Sequence, residues 1–321
     1  MDSCVPHPAR DGAKYRMIFS MAPPTLNYVP CADADGGHRM AYWSWGDAGA
    51  AQVIVCVHGL SRQGRDFDLL AQALLAGSAG PLRVVCPDVV GRGRSDWLTN
   101  PQGYALPTYA ADMLALLGQL HGQAPIQDLS WCGTSMGGLI GMAIAGTPGL
   151  PLPAPVKRLL LNDVGPVIQW QALERIGAYI GQAGRFATVQ DAADAMWRIS
   201  SSFGPHTPEQ WLALSRPMVR ELPEGGLALH YDPAIGVPLR AITAQDAEQG
   251  QSALWALYDR ISARTLLTRG AQSDLLSRET ALQMTQRGPR ARLIEFEGVG
   301  HAPTFVTPGQ VEAAVSFLLQ P

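Results

Sequence analysis

The stretch Gly133-Thr134-Ser135-Met136-Gly137-Gly138 puts a serine in a GxSxG setting, directly after a strand-like run and before a helix-like one. Glycines at 133 and 137 let the backbone turn sharply and pass close to its neighbours, which would lift the Ser135 hydroxyl onto the tip of a tight, strained turn. A serine hydroxyl is a poor nucleophile at neutral pH, so a base must take its proton, and histidine has the pKa for that work. Of the seven histidines, His301 sits in Gly298-Val299-Gly300-His301-Ala302-Pro303, on a glycine-flanked loop between the last strand-like and last helix-like runs. His7 and His38 lie near the N-terminus, His121 at a helix end, and His206 and His230 in a long central segment. His58 follows a strand and reads as a residue that orients its loop. The base needs a carboxylate to hold its tautomer and stabilise the imidazolium. Two aspartates end strands: Asp274, in Arg269-Gly270-Ala271-Gln272-Ser273-Asp274, and Asp163, in Asn162-Asp163-Val164-Gly165-Pro166. Either can reach the same histidine across an open sheet. The chain order serine, acid, histidine favours Asp274, and leaves Asp163 as the alternative acid or as a carboxylate that binds backbone amides. The tetrahedral intermediate of acyl transfer also needs amide donors. Met136 N–H and Leu60 N–H, the latter in His58-Gly59-Leu60-Ser61, are the candidates for that oxyanion hole.

These residues must be carried by something rigid. The run Gln52–Val57 (QVIVCV) is too rich in β-branched residues for a helix and reads as a buried strand. Runs 82–86, 126–132, 156–161, 264–268 and 291–296 have the same character, and 38–45 alternates polar and apolar residues as an antiparallel strand at a sheet edge would. Helix-like runs at 67–76, 106–120, 136–145, 278–286 and 309–319 lie between them. Such alternation predicts an α/β fold with a mostly parallel sheet and helices on both faces. It breaks off at 164–263, too long for a structureless loop. The expectation is a core built from 1–163 and 264–321 and a helical cap or lid at 164–263. Helices are expected at 170–182, 189–200 and 208–214, anchored by Trp170, Trp197, Phe203, Trp211 and Met218. With Trp97, the tryptophans at 170, 197 and 211 would give a mostly apolar substrate pocket for a small or medium acyl or aryl group.

Composition narrows the classes. The chain has 321 residues, 47% of them apolar, and a net charge of −3 without blocks of like charge, so nucleic acid and membrane surfaces are poor partners. No signal peptide or membrane-length apolar run is expected. The five cysteines, Cys4, Cys31, Cys56, Cys86 and Cys132, form no CxxC pair and read as reduced, buried thiols of a cytoplasmic protein. No metal-ligand spacing stands out, so no metal is expected.

Together these motifs resemble the α/β-hydrolase family over nearly the whole chain: His58-Gly59 after the third strand, Pro87-Asp88-Val89-Val90-Gly91-Arg92-Gly93-Arg94-Ser95-Asp96 after the fourth, the Ser135 elbow, Asp274 and His301. The resemblance implies an eight-stranded sheet, a cap after the sixth strand and no cofactor. A serine where dehalogenases and epoxide hydrolases carry aspartate disfavours those chemistries, and the longer glycine-rich oxyanion loop of the hormone-sensitive-lipase-like branch is absent. The expected reaction is hydrolysis of a small-molecule carboxylic ester through an acyl-enzyme. Other readings are C–C hydrolysis of a ring-cleavage product, whose subfamily has a similar elbow, and a ligand-binding receptor of the same fold. Nothing in the chain predicts its oligomeric state.

Overall fold

The structure is a computed structural model that describes residues 22–182 and 184–320; Cys4 and His7 lie outside the described residues. Its main sheet contains β1 (Thr25–Cys31), β2 (His38–Gly46), β3 (Gln52–Val57), β4 (Arg83–Pro87), β5 (Asp128–Thr134), β6 (Val156–Asn162), β7 (Arg264–Gly270) and β8 (Arg292–Phe296). Their spatial order is β1-β2-β4-β3-β5-β6-β7-β8. From β4 to β8 every pairing is parallel, and β2 runs antiparallel to both β1 and β4. The eight-stranded, mostly parallel α/β architecture is therefore present. The edge assignment shifts by one strand: β1 covers β2, because Leu26 to Pro30 pair with Trp43 to Arg39 along its whole length. Prolines at 23, 24 and 30 hid this strand in the sequence.

The core helices are α1 (Asp68–Gly77), α2 (Leu106–Gln123) and α3 (Met136–Gly146), followed in the insertion by α4 (Trp170–Tyr179), α5 (Val189–Ser200), α6 (Pro208–Ser215), α7 (Gly236–Ala241) and α8 (Ala244–Tyr258), and then by α9 (Arg278–Met284) and α10 (Pro308–Leu318). Strand alternation sorts the core into two layers. Val53, Val55 and Val57 of β3 face Met113, Leu117 and Ile140 of α2 and α3, whereas Ile54 and Cys56 face Leu70 and Leu74 of α1 and Phe317 of α10. Both faces of the central strands are thus apolar, which explains why they read as continuous hydrophobic runs.

The insertion is mixed. Besides helices it holds a small antiparallel sheet, in the order Arg185–Phe186, Leu227–Leu229, Val219–Glu221. α8 packs on α3 and buries Tyr258 in the main core, so by its contacts it belongs to the layered body, although it lies within 164–263.

The turn after β5 depends on close backbone approach. A Cβ built on Gly137 would stand 2.0 Å from Val57 O, and one on Gly133 would stand 2.2 Å from Gly137 O. Trp131, fully buried below, donates its indole N–H to Gly137 O at 3.0 Å and locks helix to strand. Backbone cannot move aside as a flexible side chain can. Gly137→Ala is therefore expected to destabilise the fold by about 3 kcal/mol or more, read as a lowered urea midpoint; an unchanged midpoint would contradict this packing.

Candidate active site

Loops at the carboxyl ends of the parallel strands converge on one rim, where open α/β sheets bind ligands. Ser135, the residue between β5 and α3, has φ +51°, a left-handed conformation that a non-glycine side chain adopts only when its surroundings enforce it. The enforcing contacts are Ser135 N–H to Asn162 O at 3.0 Å, and the Gly138 and Leu139 amides to Ser135 O at 2.8 and 3.1 Å. The half-buried hydroxyl points to His301, whose Nε2 lies 2.9 Å from Ser135 Oγ.

The partner of the other imidazole nitrogen is Asp163. His301 Nδ1 lies 2.7 Å from Asp163 Oδ2. The same oxygen accepts the Ser273 hydroxyl at 2.6 Å, and Oδ1 accepts Gly270 N–H at 2.9 Å. Asp163 is fully buried and has φ +54°, which turns its carboxylate back over the end of the sheet. The expectation that Asp274 holds the histidine is corrected here. Asp274 is 52% exposed and forms a bidentate pair with Arg175 of α4 at 2.9 and 3.0 Å. The residue after β7 that reaches the Asp163 carboxylate is Ser273, one position earlier, and the next side chain, Asp274, pairs with Arg175 of the insertion instead. The usable signal was Asn162-Asp163 followed by Gly165-Pro166 at a strand end: aspartate tolerates the left-handed conformation.

Asn162, also fully buried, joins three of these segments. Its Nδ2 donates to Pro303 O at 2.7 Å and to Thr134 Oγ1 at 3.0 Å, and its Oδ1 accepts Thr268 Oγ1 at 2.8 Å. The insertion grips the histidine loop as well: Gly300 N–H donates to Ser202 O, and His206 Nε2 lies 2.8 Å from Thr304 Oγ1.

The amides of Leu60 and Met136 flank the serine. Met136 opens α3, where the first N–H has no helical partner, and among the described residues no backbone carbonyl accepts from Leu60 N–H or Met136 N–H. A Cβ on Gly59 would meet Ser135 Cβ at 3.6 Å, so this loop lies directly against Ser135. His58 orients the loop: Nδ1 lies 2.7 Å from Gly59 O, which makes it the donor, while Nε2 accepts Val89 N–H at 2.9 Å. Burial pushes its pKa down to about 3, which keeps the ring neutral.

A residue whose role the sequence did not disclose is Arg92. Its guanidinium is wholly buried, donates to Leu60 O at 2.8 Å, to Val90 O at 2.6 Å and to Tyr109 Oη at 3.1 Å, and lies over the Tyr104 and Tyr109 rings. Ring faces and carbonyls thus replace the water around a buried cation.

Two chambers meet at Ser135. One, about 390 Å³, is lined by Leu106, Leu139, Val164, Ile176, Leu239 and Ile242 among others, and α4 and α7 of the insertion roof it. The other is smaller and more polar, with Arg62, Asp66, Arg175 and Thr304. None of Trp97, Trp170, Trp197 and Trp211 lines either chamber, which corrects the expectation of a tryptophan-lined pocket. Trp211 is buried inside the insertion, 5.0 Å from the Trp197 ring, with its N–H on Ala193 O. Trp97 is exposed beneath the Arg220 guanidinium, and Trp170 begins α4. The insertion spends its tryptophans on its own small core, and aliphatic side chains from both bodies make the pocket.

Comparison with known proteins agrees with this architecture. The family model described as the alpha/beta hydrolase family matches residues 54–314. A 3-hydroxybutyrate-oligomer hydrolase of Cupriavidus necator is 48% identical over 299 residues, 92% of this chain and 98% of that protein. A crystal structure of an alpha/beta hydrolase from Novosphingobium aromaticivorans is 34% identical and superposes with a TM-score of 0.76, covering 93% of this chain and 99% of that one. An esterase from Exiguobacterium antarcticum, 20% identical with a TM-score of 0.64 over 92% of this chain and 99% of its own, shares the fold. The matched span takes in most of β3 and all of β4 to β8, the serine turn and the histidine loop just described, and the chain belongs to the alpha/beta hydrolase family.

Proposed function

We propose that this protein is a serine esterase that hydrolyses short oligomers of 3-hydroxybutyrate, or closely similar small hydroxyacyl esters, through an acyl-enzyme on Ser135. The carrying observation is the hydrogen-bonded line from Ser135 Oγ to His301 at 2.9 Å and from His301 to buried Asp163 at 2.7 Å. In this reading Ser135 Oγ attacks the ester carbonyl as His301 Nε2 takes its proton. Asp163 holds Nδ1 protonated and stabilises the imidazolium. The oxyanion is met by the Leu60 and Met136 amides. His301 then protonates the leaving alkoxide, and water, activated by the same imidazole, hydrolyses the acyl-enzyme. The substrate class is supported by the 48% identity to the oligomer hydrolase and by the paired chambers. A 3-hydroxybutyryl unit fits the aliphatic side, and the hydroxyacid on the leaving side fits the smaller, more polar chamber.

Treatment with an organophosphate is expected to add one dialkylphosphoryl mass to the intact protein and none to Ser135→Ala, and the dimer and trimer of 3-hydroxybutyrate are expected to release monomer. Labelling that persists in Ser135→Ala would end the assignment, and labelling without turnover of the oligomers would end the substrate proposal alone. Asp163→Asn is expected to lower kcat by about 10³–10⁴-fold, because it favours the wrong imidazole tautomer. Asp274→Asn, which breaks a surface pair, is expected to change kcat by less than about threefold. A steady-state comparison of the two variants checks this ranking. Arg92→Met removes the donor to Leu60 O, and kcat is expected to fall about 10–100-fold with KM nearly constant.

A further inference from the structure

The β1–β2 hairpin and α2 bring together three side chains that no step above uses. Cys31 ends β1 and His38 begins β2, and the two are directly paired across the antiparallel ladder. Asp112, in the middle of α2, closes the group from the adjacent helix, with Oδ2 at 3.0 Å from His38 Nε2. One ligand-type atom from each of Cys31, His38 and Asp112 lies within 4.8 Å of the others, and all three residues are buried. Two further features distinguish this group from an ordinary buried ion pair. Asp112 is 1% exposed, yet its Oδ1 has no hydrogen-bond partner among the described residues, an arrangement that proteins rarely leave. His38 Nδ1 is held at 2.7 Å by Asp33 Oδ2, and Asp33 is itself fixed by accepting the Asp35 and Gly37 amides through Oδ1, both at 2.8 Å. A carboxylate that orients the far nitrogen of an imidazole is the usual outer support of a metal-binding histidine.

We infer that Cys31 Sγ, His38 Nε2 and Asp112 form a binding site for a borderline-soft divalent cation, with zinc the best match to its sulfur, nitrogen and oxygen donors. Tetrahedral zinc bonds of about 2.0–2.3 Å imply ligand-to-ligand separations of about 3.3–3.6 Å. The His38 to Asp112 edge, at 3.0 Å, has to open by about 0.3 Å to admit the cation, and the thiol side has to close. On binding, the Cys31 thiol and the His38 Nε2 nitrogen release their protons to solvent. The thiolate and the Asp112 carboxylate then balance the two charges of the cation, and water completes the coordination. The site pins the edge hairpin to α2. β2, β4 and β3 separate β1 from β5, so the inference stands apart from the chemistry at Ser135. The sequence showed no metal-ligand spacing because Asp112 lies 74 residues from His38, on a different element.

The test uses tag-free full-length protein, equilibrated with Zn²⁺ or Co²⁺, dialysed, and analysed for metal content. Wild type is expected to retain one equivalent, to show a thiolate-to-cobalt charge-transfer band with Co²⁺, and to melt at a higher temperature with Zn²⁺ than after chelation. Cys31→Ser is expected to lose the charge-transfer band, and Asp33→Asn to weaken retention about 10–100-fold. Ester hydrolysis is expected to be unchanged in Cys31→Ser, which also reports that this variant is folded. Wild type that retains no cation after dialysis, or a charge-transfer band that survives in Cys31→Ser, would overturn the site.

Discussion

A carboxylate shut away from water must find donors for its lone pairs, and at Asp163 those donors come from the two strands that follow it in the sheet. Gly270 at the end of β7, Ser273 in the loop beyond and His301 after β8 all bond to one buried side chain. Since an unsatisfied buried carboxylate would cost several kcal/mol, the carboxylate fixes the loops as much as they fix it. The imidazole is held in one orientation before any substrate arrives, and the serine needs no reorganisation to meet it. Asn162, the preceding residue, extends this restraint to the elbow and to Pro303. Two consecutive polar residues at the end of β6 therefore connect the segments that carry all three proposed catalytic groups.

The other half of the site is set by packing. Gly137 and Gly133 let α3 descend onto β3 and β5, which brings the Met136 amide to the rim. Arg92, held between two tyrosine faces, secures the opposing Leu60 carbonyl. The insertion lines the chamber beside these groups with aliphatic residues of α4 and α7, so that Ser135 opens onto a mostly apolar space. Its hold on Gly300 and Thr304 makes it part of the histidine loop's support as well as a roof.

Under the rim, Cys56, Cys86 and Cys132 lie on neighbouring strands β3, β4 and β5 and share one apolar layer with Leu160, Leu266 and Phe305. Burial pushes the Cys86 and Cys132 thiols up, away from thiolate character. They act as small hydrophobes that let α1 and α10 pack closely on the central strands. Cys31, by contrast, meets polar partners at the far edge of the sheet.

Local features were legible in the residues themselves. The strand runs, the helix runs around them and the glycine-flanked Ser135 and His301 follow from β-branched composition, amphipathic spacing and turn chemistry, which act over a few residues. The hydrolase architecture follows from their order along the chain. What the chain order left open was decided by direction in space. Asp163 and Asp274 end adjacent parallel strands, and a left-handed turn at one and a one-residue offset at the other determine which carboxylate meets the imidazole and which meets Arg175. The tryptophans of the insertion, the role of Arg92 and the gathering of Cys31, His38 and Asp112 depend on contacts between distant segments. Residue type predicts burial for the tryptophans and the cysteine but exposure for Arg92 and Asp112, and only tertiary packing says which side chains go inside and against what.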